Sequence, residues 1–100
     1  MQSAEVAEFP DTEQFRIIEQ LLRSNWRGSI CSNVHEPEIR VTVTDEMITA
    51  GLMQSRRRYK EAENTISIDR REKVFRIFFA QEMNKIIEKE KNIQKRSLAV

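Results

Sequence analysis

Cys31 and His35 are the residues whose types first suggest chemistry, because a thiol and an imidazole so close in the chain can hold zinc or act as nucleophile and base. The inventory stops both readings. The 100 residues contain one Cys and one His, whereas zinc takes four protein ligands, or three and a water, and a nucleophilic thiol needs an oxyanion hole besides its base. A carboxylate from Glu36 or Glu38 would have to complete the set. Cys31 is expected instead as a partly buried thiol beside a loop histidine. The carboxylate pairs Glu36/Glu38, Asp45/Glu46 and Glu61/Glu63 fall at exposed or capping positions, while acid–base hydrolysis needs one carboxyl set apart in an apolar pocket. Two glycines in the whole chain leave little room for phosphate-cradling loops, nucleophile elbows or dinucleotide turns, which need several at fixed offsets. The expectation is a protein that is not an enzyme, with no metal, cofactor or small-molecule substrate.

Cations offer a stronger lead. Gln54-Ser55-Arg56-Arg57-Arg58-Tyr59-Lys60 is a run in which every side chain can touch a phosphate or a base. Successive residues of a helix turn by about 100°, so Arg56 and Lys60 share an outer side, Arg57 lies further round, and Arg58 returns to the edge of the apolar face. Arg70, Arg71, Lys73 and Arg76 extend the patch if two helices pack antiparallel across the 63–68 connection. Such a patch would contact acidic or phosphate groups of a partner and lose affinity steeply with salt. Glu61, Glu63, Asp69 and Glu72 are interleaved with these bases and supply the alternative, pairing on a solvated surface. A helix-turn-helix around Thr49–Tyr59 does not fit, since Gly51 falls within an unbroken apolar face and no second helix follows after three or four residues.

The elements that must position these groups are marked by caps and periods. Residues 1–10 read as a loose arm ending at Pro10. Asp11 and Gln14 form a capping-box arrangement. Phe15, Ile18, Leu21, Leu22 and Trp26 then define one apolar side of a first helix, which Gly28 stops. Ser29–Pro37 reads as a connector. Glu38–Thr44 alternates apolar and polar residues, the pattern of a half-buried strand, and Thr65-Ile66-Ser67-Ile68 is its candidate partner. Thr44 caps a second helix that runs to about residue 62, with Met47, Ile48, Gly51, Leu52, Ser55 and Tyr59 on one face. Asp69 and Glu72 suggest a capping box for a third helix over 70–91, and residues 92–100 read as a frayed tail.

On that third helix Phe75, Phe78, Phe79, Met83 and Ile86, with Val74 and Ile87, cover more than half the circumference, and Ile77 lies beyond the arc. Two shorter neighbours would leave part of this girdle uncovered, so it is expected to serve as a dimer seam or a protein-partner site.

Composition bounds the rest. With 39% hydrophobic and 33% charged residues, the chain suits one soluble domain with a single core, spanning residues 11–91. The net charge of +1 conceals an asymmetry: four bases against nine acids in residues 1–50, thirteen against seven in residues 51–100. The lone cysteine forbids an internal disulfide, no apolar run approaches a membrane span, and Glu5 and Glu8 occupy the place of a basic leader. A cytoplasmic location follows as an expectation.

Thr44-Asp45-Glu46-Met47-Ile48-Thr49-Ala50-Gly51, followed by a polar loop and a helix with the pattern Phe78, Phe79, Met83, resembles a helix pair of small uncharacterised phage and proteobacterial proteins. The likeness covers about forty residues, and the Arg-rich exit from the helix and the preceding strand depart from it. It implies an origin, and a mode of action by occupying a host protein or nucleoprotein complex. The expected fold is α-rich, with three helices and a short strand or two-stranded ribbon between the first and second. The expected function is a non-catalytic interaction protein binding through Arg56, Arg57, Arg58, Lys60, Arg70, Arg71 and Lys73, with nucleic-acid-binding regulation through the same cations as the alternative.

Overall fold

The computed structural model describes residues 13–33 and 36–99, with side chains outside 32–38 and 98–99. The arm 1–10, the capping Asp11 and His35 lie outside the described residues. The element order is helix α1 (Glu13–Trp26), strands β1 (Ile30–Asn33) and β2 (Glu36–Thr42), helix α2 (Asp45–Ala62), two single 3-10 turns at Glu63–Thr65 and Ile68–Arg70, and helix α3 (Arg71–Ala99). This is an α-rich fold of three helices, with a two-stranded antiparallel ribbon between the first and second.

Glycine ends α1 as its position suggested. Gly28 has φ 76°, a left-handed conformation that a side chain would strain. Its N–H donates to the carbonyl of Val43 (3.0 Å), and the Val43 N–H donates to Ser29 (2.8 Å), so the base of the ribbon closes where the helix stops. Arg27 Nε donates to Asp45 Oδ1 at 3.0 Å across the same junction. Thr44 caps α2, its hydroxyl accepting the Met47 N–H at 3.2 Å, with Asp45 and Glu46 in the favoured first turn.

The ribbon has a different partner from the one the alternation suggested. β2 pairs with β1, inside the stretch read as a connector, in the register Ile30↔Thr42, Cys31↔Val41, Ser32↔Arg40. Thr65–Ile68 forms no strand: it leads into the 3-10 turn before α3 and leaves Ile68 79% exposed. A hairpin closes two adjacent strands at small entropic cost, whereas pairing across α2 would have required a long crossover. Ile39, Val41 and Val43 are buried while Arg40 and Thr42 are exposed, so the period-two alternation does select the inner face.

The third helix is 29 residues long, about 43 Å at 1.5 Å per residue. It continues past the boundary expected at 91, and residues 92–99 are helical. Its start also differs: the helix follows a 3-10 turn, and the Glu72 carboxylate accepts from Arg76 one turn on at 3.1 Å.

The core joins the three helices and β2: Phe15, Ile18 and Leu22 of α1, Val41 of β2 and Val43 just after it, Ile48, Leu52 and Tyr59 of α2, and Phe75, Phe79, Met83 and Ile87 of α3, with Cys31 of β1 partly buried against them. Rings meet edge to face. Phe15 and Phe75 have centroids 4.3 Å apart, Tyr59 and Phe75 6.3 Å, Trp26 and Phe79 5.8 Å, a geometry that sets positive ring edges against negative faces. Close approach of α2 and α3 depends on small residues. A Cβ on Gly51 would stand 2.6 Å from Met83 Sδ, and buried Ser55 satisfies its hydroxyl on the Leu52 carbonyl at 2.9 Å.

This packing corrects the expected seam. Phe75, Phe79 and Met83 are fully buried within one chain and belong to the core. Phe78 and Ile86 are partly buried against it, and the Arg58 guanidinium covers the Phe78 ring at 4.2 Å. Two helices and a ribbon hide more of the girdle than two helices alone would, because β2 and the residue after its end bring Val41 and Val43 into the same core.

Candidate functional site

The three consecutive arginines of α2 point in three directions, as 100° steps require. Arg56 turns toward α1: its Nη1 donates to Glu19 Oε2 at 2.8 Å, and its guanidinium stands 5.3 Å from the centre of the Phe15 ring. Arg58 turns toward α3, donating to Glu82 Oε2 at 3.0 Å while stacking on Phe78. Both side chains are about one-third exposed and act as struts between helices, combining charge-assisted hydrogen bonds with cation–π contact. Arg57 between them is exposed, as are Lys60, Arg70 and Lys73, and Arg71 is half-buried. The seven cations expected as one binding patch therefore divide into interhelical struts and outward groups.

Glu82 is the focus of the strut on the α3 side. Its side chain is 9% exposed and receives both Arg58 and, at 3.2 Å, Lys85. Burial pushes its carboxyl up, but the hydrogen bonds from Arg58 and Lys85 and their charges outweigh burial and hold it below the usual carboxylate range. Burial raises the Tyr59 phenol, with the nearby Arg71 charge opposing.

The outward side of α3 is divided by charge. Over its first turns Asp69, Glu72, Lys73, Arg76, Ile77 and Ala80 line a shallow depression open to solvent, with Ile77 42% exposed. Two carboxylates, two cations and two apolar side chains share that lining. Further along, Lys85, Lys89, Asn92 and Arg96 are exposed and recur on one side of the helix. The sequence reading placed Arg76 near the basic patch and Ile77 outside the apolar arc, but it did not join them. Ending the helix at 91 cut Asn92 and Arg96 off from Lys85 and Lys89, although the i, i+4, i+7, i+11 spacing, once continued, joins all four.

Cys31 lies half-buried on β1 with a free thiol. Among the described residues no group of three His, Cys, Asp or Glu is placed to hold a metal ion, and no helix is long and apolar enough to cross a membrane. Comparison with protein-family models, curated proteins and solved structures finds no match to the chain.

Proposed function

We propose that the protein is a non-catalytic interaction protein, an accessory factor of phage or mobile-element type that binds a host protein or nucleoprotein complex in the cytoplasm. The observation that carries the reading is the depression on the first half of α3, where Ile77 and Ala80 share a lining with Asp69, Glu72, Lys73 and Arg76. Apolar side chains next to groups of both charge signs suit a protein surface, which offers an apolar anchor beside its own mixed charges. A polyanion is a poorer fit there, because Asp69 and Glu72 would face its phosphates. Arg70, next to Asp69 in the chain, is exposed just before the helix.

The reading also accounts for where the chain's cations are spent. Arg56 and Arg58 stabilise helix packing, Arg76 is paired with Glu72 beside the depression, and exposed Lys73 and Arg70 remain to contact acidic groups of a partner. The test is retention of a nuclease-resistant host protein by the immobilised full chain, compared with Ile77→Glu. Because Ile77 is outside the core, the variant is expected to keep its melting temperature and to lose the retained protein. Equal retention by the two chains removes the depression as the binding surface. Sedimentation of the free chain at micromolar concentration identifies the case in which the occupant is a second copy, which would give about twice the monomer mass.

A further inference from the structure

The second half of α3 carries a feature that the mixed depression lacks. Lys85, Lys89, Asn92 and Arg96 stand at i, i+4, i+7 and i+11 on a continuous helix, which brings them within an arc of roughly 60° over about 16 Å. All four are exposed, and Lys85 is 70% so. Phe78 falls on the same row seven residues before Lys85, and it carries the Arg58 guanidinium on its ring, so a fourth cation continues the line. Glu82 neutralises one of these charges through its bonds to Arg58 and Lys85. The ribbon packs against the far side of the helix, where Gln94 Nε2 donates to the Arg40 carbonyl at 2.8 Å, and so does not cover the row.

We infer that this row is a binding surface for the phosphate backbone of double-stranded DNA, read without regard to sequence. The inference rests on the binding-protein reading above but not on its depression. Charge complementarity selects the occupant: duplex DNA presents one negative charge per about 1.7 Å of its axis, and a straight line of cations can neutralise several phosphates at once. The donors are Lys and Arg with an Asn between them, groups that bond phosphate oxygens and position a protein without specifying bases. Single strands are the poorer fit, since unspecific single-strand binding relies on aromatic platforms. Among the described residues Phe15, Tyr59, Phe75 and Phe79 are buried, Trp26 packs edge to face against Phe79 on the core, and Phe78 is covered by Arg58. Glu88, on the flank of the row beside Lys85 and Lys89, opposes the polyanion and sets an internal control.

The experiment is fluorescence anisotropy of the full chain with a 20-base-pair duplex DNA and a single strand of equal length, at 50 and 200 mM salt. With three phosphate contacts, affinity for the duplex is expected to fall about forty-fold between those salts. The triple variant K85Q/K89Q/R96Q should lose at least ten-fold at 50 mM and most of the salt dependence. E88Q should bind more tightly than the parent, and R57Q/K60Q, which removes two exposed cations elsewhere, should bind as the parent does. Circular dichroism establishes that each variant is folded. The inference is overturned by no duplex binding at 50 mM salt, by equal losses in the triple and R57Q/K60Q variants, or by preference for the single strand. If the duplex fails to bind while Ile77→Glu still abolishes protein capture, the row is dismissed and the interaction-protein reading stands.

Discussion

The two halves of α3 are one unbroken helix, yet they do different work. Its first half drives Phe75, Phe79 and Met83 into the centre of the molecule, and α2 lies close enough that Gly51 leaves no room for a Cβ beside Met83. The second half, from Lys85 on, buries only Ile87 among its described side chains and is otherwise held by lighter contacts such as the bond from Gln94 to Arg40. Burial fixes the inward side chains of the first half and leaves recognition to its outward face, where Ile77 is 42% exposed, whereas the second half displays charge. A long helix can in this way carry two surfaces of different chemistry, one backed by the core and one beyond it, with no domain boundary between them.

The contrast is most exposed to failure at the aromatic core. Phe79→Ala should cost about 3–5 kcal/mol by leaving a cavity that edge-to-face rings cannot refill, while Ile93→Ala, at a half-exposed position of the second half, should stay within about 0.5 kcal/mol. Chemical denaturation of both variants tests this, and similar losses would erase the distinction.

Glu82 stands where the halves meet and should show the next largest effect. Glu82→Gln is expected to lose about 1.5–3 kcal/mol at pH 7, the range for charge-assisted hydrogen bonds in a buried setting. Arg58 and Lys85 hold the folded carboxyl below its unfolded value, so this stabilisation is complete above the ordinary carboxylate range near about 4.3. It is lost as pH falls through the lower folded value. Melting curves from pH 7 downward should therefore show parent and variant converging, and a constant gap would mean the ion pairs contribute nothing. A smaller loss than that of Glu82→Gln belongs to Gln94→Ala, about 0.5–1.5 kcal/mol for one hydrogen bond to the ribbon. Hydrogen exchange at Arg40 and its neighbours should rise with it, and unchanged protection would show that the second half does not support the ribbon.

Much of this arrangement is legible in the residues. Gly28 as a stop, Thr44 as a cap, the inward alternation of Ile39, Val41 and Val43, and the half-buried edge position of Arg58 all follow from local chemistry. β1 does not, because Ile30-Cys31-Ser32-Asn33 has a single β-branched aliphatic and becomes a strand only through its neighbour. The arginine run misleads for a related reason: consecutive residues leave a helix in different directions, and the packing of α1 and α3 decides which guanidinium meets a carboxylate. The end of α3 could have been found, since no glycine or proline follows Gly51 and nothing after residue 91 breaks a helix. Stopping at 91 also separated Asn92 and Arg96 from Lys85 and Lys89.

The hydrogen bonds that join Gly28 and Ser29 to Val43 confine the ribbon to a loop pinched shut at its foot. Lengthening that loop by matched pairs of residues, one pair on each arm, would leave the pinch and all three helices undisturbed. An unmatched single residue placed between Val41 and the pinch would instead rotate Ile39 and Val41 out into water, whereas the register already shifts between Ser32 and Asn33. The ribbon is thus the part of this architecture most open to change of size, provided the change beside the pinch comes in even steps.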